Sequence, residues 1–115
     1  MLLEGYDSNN QSCTEIVAQY IKKHFQENIT LENLAQIVHL SPTYLSRVFH
    51  QEKGVAIRTY ISQQRMEQSK YLLLHSNLPI KKIAEDCGFI NISHFYRVFK
   101  KYIGKSPADI RKGRS

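Results

Sequence analysis

Residues 34–54 of this chain reappear, altered but in order, at 83–104. Displacing the sequence by 49 lays Leu34-Ala35 on Ile83-Ala84, and displacing it by 50 lays Leu45, Arg47, Val48, Phe49 and Gly54 on Phe95, Arg97, Val98, Phe99 and Gly104. The second copy therefore holds one extra residue in its turn. Self-similarity of this length marks two copies of one supersecondary unit. Each copy has an apolar-periodic segment with a small Ala, a turn four residues later at His39 or Gly88, a second periodic segment and a closing glycine. Two helices that cross closely at a small residue and are joined by a tight turn form a helix-turn-helix. Gly88 suits a strained turn, and His39 is tolerable there because His is among the residues enriched at positive φ.

Helix punctuation around the repeat gives seven helices. Ser12 with Glu15 three residues later is a capping box, and Ile16, Val17, Tyr20, Ile21 and Phe25 gather on one face of a helix that runs to about Glu27. Thr30 caps a second helix; Ser41, followed by Pro42 at the first helical position, opens a third that Gly54 closes. A longer helix runs from about Ala56 to Ser76 and ends at Asn77, a residue type that tolerates a left-handed conformation. Pro79 starts a fifth helix that Gly88 breaks, Asn91 caps a sixth that ends at Gly104, and Ser106-Pro107 opens the last. No stretch alternates as a strand would, so the fold class is all-α: a seven-helix bipartite domain. Its expected parts are a linker stub at 1–11, a first subdomain at 12–54, a linker helix at 55–77 and a second subdomain at 78–115.

With 115 residues there is room for one modest core or two very small ones. Apolar residues at 42% and charged residues at 23% fit a globular chain rather than a disordered one. The net charge of +6 is unevenly placed: residues 1–54 hold four Lys/Arg and six Asp/Glu, whereas 55–115 hold twelve and four. A basic second half favours a polyanionic partner. Cys13 and Cys87 lie far apart with no CxxC, and free thiols in a reducing cytosol are expected. The longest apolar run is Leu72-Leu73-Leu74, so neither a spanning helix nor a signal peptide is expected, and the location inferred is cytoplasmic, at the nucleoid. The five histidines lack ligand spacing, and neither metal nor cofactor is expected. Without a Gly-rich phosphate loop, a nucleophile elbow or paired carboxylates, catalysis is not expected either.

The second helix of each unit carries the chemistry. Leu45, Val48 and Phe49 share one stripe of the first, and Phe95, Val98 and Phe99 one of the second. The opposite stripes are Thr43, Ser46, Arg47 and His50, and Ser93, Tyr96, Arg97 and Lys100. An ordinary solvated face mixes Glu and Asp with Lys and Arg. These stripes are rich in donors and free of carboxylates, and they suit the acceptor-rich guanine edge, which Arg can bond at O6 and N7 together. A linker helix of about 20 residues spans about 30 Å, while successive major-groove faces on one side of a duplex repeat every ~34 Å. Both helices can then enter adjacent major grooves of double-stranded DNA. Because the stripes differ, the two-turn site is asymmetric.

The segments LSPTYLSRVFHQEKG (40–54), YISQQRMEQSKYLL (60–73) and IKKIAEDCGFINISHFYRVFKKYIGKSPADIRK (80–112) resemble the DNA-binding domain of AraC/XylS-family transcription regulators. The resemblance covers about Ile16 to Lys112. It implies a bipartite seven-helix domain, sequence-specific DNA binding in a bacterial transcription regulator, and usually a separate sensor or oligomerisation domain, of which nothing is visible. Carried over by position, it assigns base contacts to Pro42, Thr43, Ser46 and Arg47, and to Ile92, Ser93, Tyr96 and Arg97. Two residues depart from the family: Ser69, where Ala is usual, and His94, where Tyr is common.

Phosphate contacts are expected at Ser41, His50, Lys81, Lys82, Asn91, His94 and Lys100, cations and helix starts being suited to anions. The competing reading of Arg47 and Arg97 is pairing with nearby carboxylates, and that of Lys81 and Lys82 is plain solvation. Arg65, on the linker helix, is expected to bond a neighbouring turn. Phe49, Phe95, Phe99 and Tyr102 are read as core. The fragment is expected to be monomeric, with oligomerisation left to a missing domain and RNA polymerase as protein partner. The alternative is a helical protein-interaction module without DNA affinity, against which the two recurring arginines and the acid-free stripes argue.

Overall fold

A computed structural model describes residues 12–113. The expected linker stub, residues 1–11, lies outside them. Seven helices occupy the described residues, in the order α1 (Cys13–His24), α2 (Leu31–Val38), α3 (Pro42–Lys53), α4 (Ile57–His75), α5 (Ile80–Asp86), α6 (Ile92–Ile103) and α7 (Pro107–Lys112). No strand is present among the described residues, in agreement with the all-α expectation.

The helices group into two compact units. The first holds α1, α2, α3 and the start of α4, through Ile61; the second holds residues 25–28, the rest of α4 from Ser62, and α5 to α7. In the first unit Val17, Ala18, Ile21, Leu34, Leu45 and Phe49 are fully buried. In the second the core is built on Met66, Leu73, Ile83, Ala84, Cys87, Phe89, Phe95 and Phe99. Burying a large apolar side chain contributes about 1.5–3 kcal/mol, so three wholly buried phenylalanines, Phe49, Phe95 and Phe99, weigh heavily in units this small. Tyr102, expected in the core, is only half-buried against it.

Start signals act as expected. Ser12, Thr30, Ser41, Asn91 and Ser106 each accept from the backbone N–H three residues on, at 3.0–3.1 Å. Three expectations need correction. Helix α1 stops at His24 rather than Glu27, and beyond its end the Arg65 guanidinium takes the carbonyls of Phe25 and Glu27 at 2.7 and 3.0 Å. Its fully buried stripe is Thr14, Val17, Ala18 and Ile21, not the face expected with Phe25. Asn77 does not take a left-handed conformation, His39 being the one non-glycine residue at positive φ among the described residues. Helix α4 ends instead on Ser76, whose hydroxyl donates to the Leu72 carbonyl at 2.7 Å and accepts from Leu78 N–H at 3.3 Å.

Candidate nucleic-acid interface

The two turns that aim the second helices share one hydrogen-bond plan. In the first, Leu40 N–H donates to the Ala35 carbonyl at 3.0 Å, with His39 left-handed at φ 59°. In the second, Phe89 N–H donates to the Ala84 carbonyl at 2.9 Å, with Gly88 at φ 99°. Satisfying helix-end carbonyls through a left-handed residue is the Schellman arrangement. Leu40 runs straight into the Ser41 cap, whereas Ile90 intervenes between Phe89 and the Asn91 cap. Ile90 is therefore the extra residue of the repeat, and it stands fully exposed.

Both turns present α3 and α6 with the same division of faces. Leu45 and Phe49, and Phe95 and Phe99, are wholly buried, with Val48 and Val98 half-buried. Thr43, Ser46, Arg47 and His50, and Ser93, Tyr96, Arg97 and Lys100, are all exposed. Burial of one stripe fixes the rotation of each helix, and the donor stripe is left outward as a consequence. The caps Ser41 and Asn91, and Lys81, Lys82 and His94, are exposed as well. Pro42 and Ile92 differ: both are half-buried, and Ile92 packs against the core of the second unit.

Within these sets some groups already have partners. Arg47 lies over the Tyr44 ring, Cζ to centroid 5.1 Å, and Arg97 Nη2 is 3.3 Å from His94 Nδ1. Among the described residues no carboxylate pairs with either arginine. Lys82 is bridged to Asp86 at 3.2 Å, one helical turn along α5, whereas Lys81 forms no such bridge among the described residues.

Two further arginines hold main chain. Arg65 clamps the carbonyls of Phe25 and Glu27, as expected of a bond to a neighbouring turn, and its Cζ lies 5.5 Å from the centroid of the Phe89 ring. Burial lowers its pKa from the ordinary guanidinium value. Arg111, which sequence reasoning did not single out, donates to the carbonyls of Leu73, Ser76 and Leu78 at 3.3, 3.1 and 2.6 Å. Its partners lie 33–38 residues away in sequence, so no local pattern announces it. Ser69, the departure in the linker helix, is fully buried and donates to the Arg65 carbonyl at 2.8 Å. Burial pushes the neighbouring Cys87 thiol up, against a smaller opposite effect of the Ser69 hydrogen bond.

Comparisons with known proteins agree with this architecture. A helix-turn-helix domain family model matches residues 34–113. The arabinose operon regulatory protein of Escherichia coli is 38% identical over 96 residues, which is 83% of this chain and 33% of that protein. The C-terminal domain of AraT, a response regulator from Geobacillus stearothermophilus, is 39% identical and superposes with a TM-score of 0.87 over 93% of this chain and 89% of its own. The DNA-binding domain of AdpA, a global transcriptional factor solved in complex with a target DNA, is 26% identical with a TM-score of 0.83, over 89% and 92% of the two chains. The chain spans between about a third and a half of the length of the curated relatives it matches. A doubled helix-turn-helix with its glycines, caps and buried aromatics in register, matched over most of its length by these proteins, belongs to the AraC/XylS family of transcription regulators.

Proposed function

We propose that this chain is the sequence-specific DNA-binding part of a bacterial transcription regulator, a binding domain rather than an enzyme. The observation that carries the reading is the acid-free donor stripe exposed on both α3 and α6 while the opposite stripe of each is sealed into its own core. Residues 12–54 and 78–115 are the two reading subdomains in this account, and 55–77 is the linker helix. Thr43, Ser46 and Arg47, with Pro42 at the helix start, read one half-site. Ser93, Tyr96 and Arg97, with Ile92, read the other. Ser41, His50, Lys81, Asn91, His94 and Lys100 contact phosphates, joined by Lys82 once its bridge to Asp86 gives way.

Two adjacent major grooves are the target. Helix α4, with 19 residues, is about 28 Å long. The unlike stripes call for an asymmetric site. The setting is cytoplasmic, and RNA polymerase is the protein met at a promoter. No described helix is long and apolar enough to cross a membrane.

Fluorescence anisotropy on duplexes selected from random DNA tests the reading. Raising salt from about 50 to about 200 mM is expected to weaken binding by orders of magnitude through counterion release. Affinity indifferent to salt, or a pool with no enriched split motif, would favour a protein-interaction module instead. Arg97→Ala is expected to lose about 1–3 kcal/mol on the selected duplex and much less on a scrambled one; equal loss on both would make it a phosphate contact.

A further inference from the structure

The two turns differ by one residue, and that residue is idle in the fold. In the first unit Leu40, half-buried, closes the turn on the Ala35 carbonyl, and Ser41 caps α3 directly after it. In the second unit Phe89 closes the turn on the Ala84 carbonyl. Phe89 is buried and meets the Phe95 ring edge-on, centroids 5.2 Å apart. A hydrophobic residue just ahead of the cap commonly packs on the fourth helical residue and fixes how the chain enters the helix. Phe95 is the fourth residue of α6, so Phe89 already does this work from one position further back. Ile90 stands in the usual place for it and is wholly exposed. A turn of this plan closes without such a residue, as the first unit does.

The place of Ile90 is the entrance to a recognition helix. The N-terminal residues of such a helix are the ones that meet base edges, and Ile90 directly precedes the Asn91 cap of α6, with Ser93 exposed just beyond. Together with Lys81, Ala84, Glu85, Phe89 and Ile92 it lines a shallow depression. Lys81 and Glu85 are exposed there with opposite charges, so the depression is not an anion site. What this corner adds to a stripe of donors is apolar surface. On the base edges of the major groove, the methyl group on offer to apolar surface is that of thymine.

We propose that Ile90 is a specificity-determining residue of the second unit, set against the 5-methyl group of a thymine in the half-site read by α6. The proposal rests on the DNA-binding reading above. The donor stripe reads acceptors, and the looped-out isoleucine adds a reader of a methyl group. The first unit lacks the residue and has no counterpart at this place. A protein partner fits the corner less well, because a specific protein interface covers about 800 Å² on each side. The other large apolar side chains exposed among the described residues are Ile37, Tyr44, Tyr71 and Tyr96, and of these only Tyr96 lies on α6.

The test replaces each thymine of a selected duplex in turn by deoxyuridine, which removes the methyl group and nothing else. Affinities are measured by anisotropy for the native chain and for Ile90→Ala, and because Ile90 stands clear of the core the variant is expected to melt as the native chain does. At one thymine the replacement is expected to weaken native binding about fourfold, the scale of one methyl group returned to water. Ile90→Ala is expected to bind the two duplexes alike, having lost that contact already. If no replacement separates the two chains, the proposal is overturned with DNA binding intact, and Ile90 is left to a protein partner. A replacement that weakens both chains equally overturns it too, by assigning the methyl group to another residue such as Ile92. No binding to any duplex by the native chain overturns the DNA reading and this proposal with it.

Discussion

The two turns of the repeat close the same hydrogen bond, yet one places histidine at φ 59° where the other places glycine at φ 99°. His39 sits at φ 59° and is exposed, so its side chain points into water and the left-handed conformation is its only cost. Gly88 is half-buried beneath Arg65. A Cβ there would meet Arg65 Nε at 3.0 Å and the Gln26 carbonyl at 3.1 Å. Two things therefore single out glycine at 88: a φ of 99°, beyond the left-handed region that His39 occupies, and the roof above it. Gly54 and Gly104, also at positive φ, have open space where a Cβ would go and resemble His39 in this respect.

The largest effect is expected from the cores that hold the two units apart in stability. Phe99→Ala should cost about 3–5 kcal/mol, read as a lowered midpoint in urea, and Phe49→Ala a similar amount in the first unit. Amide exchange should localise each loss to its own unit; loss spread evenly over both would mean that the units fold as one.

Next in size is the contrast between the turns. Gly88→Ala combines left-handed strain of about 1–2 kcal/mol with displacement of the Arg65 clamp, and a total of about 2–3 kcal/mol is expected in a thermal melt. His39→Gly should move stability the other way by up to about 1 kcal/mol. Equal and small effects at both positions would break the distinction drawn between a roofed and an open turn.

The smallest effect concerns an ion pair of the first unit. Glu15 meets Lys53 Nζ at 2.9 Å and Gln19 at 3.1 Å. The Lys53 hydrogen bond, foremost, holds the Glu15 carboxyl below its ordinary value, and the same bond raises Lys53. A carboxyl whose pKa is lower in the folded state adds stability above its unfolded value and loses it as pH falls through the folded one. Lys53, raised, adds stability below its unfolded value and loses it only as pH rises through the folded one. Both groups are partly solvated, so Glu15→Gln should cost no more than about 0.5 kcal/mol near neutral pH and nothing in strong acid. Denaturant titrations at the two pH values check this, and a cost that persisted in acid would point to packing instead.

Much of this was legible in the sequence because it is local. A cap bonds three residues ahead, a buried stripe recurs every three or four, and a repeat is visible by displacement. The caps at Thr30, Ser41, Asn91 and Ser106, and the outward stripes on α3 and α6, all belong to that class. What escaped is non-local or negative. Glu15 closes only half of its capping box, since Ser12 accepts from its N–H while its carboxylate goes to Lys53, 38 residues away. The bonds from Arg65 to the Phe25 and Glu27 carbonyls, beyond the end of α1, reach 40 and 38 residues along the chain. The extra residue of the second turn could be counted from the register change, but that Ile90 would bear no packing at all could not.

Arg65 and Arg111 grip carbonyl oxygens, and a carbonyl is the same on every residue. The segments they hold, residues 25–28 and 73–78, can therefore exchange one side chain for another without loosening the grip, whereas a clamp made to carboxylates would tie those positions to Asp or Glu. Changes to the clamping arginines themselves have no such latitude, because lysine offers one ammonium where a planar fork spans two or three oxygens. Drift should accumulate at gripped residues outside the core, Leu73 being held by its packing as well, while the two grips stay fixed.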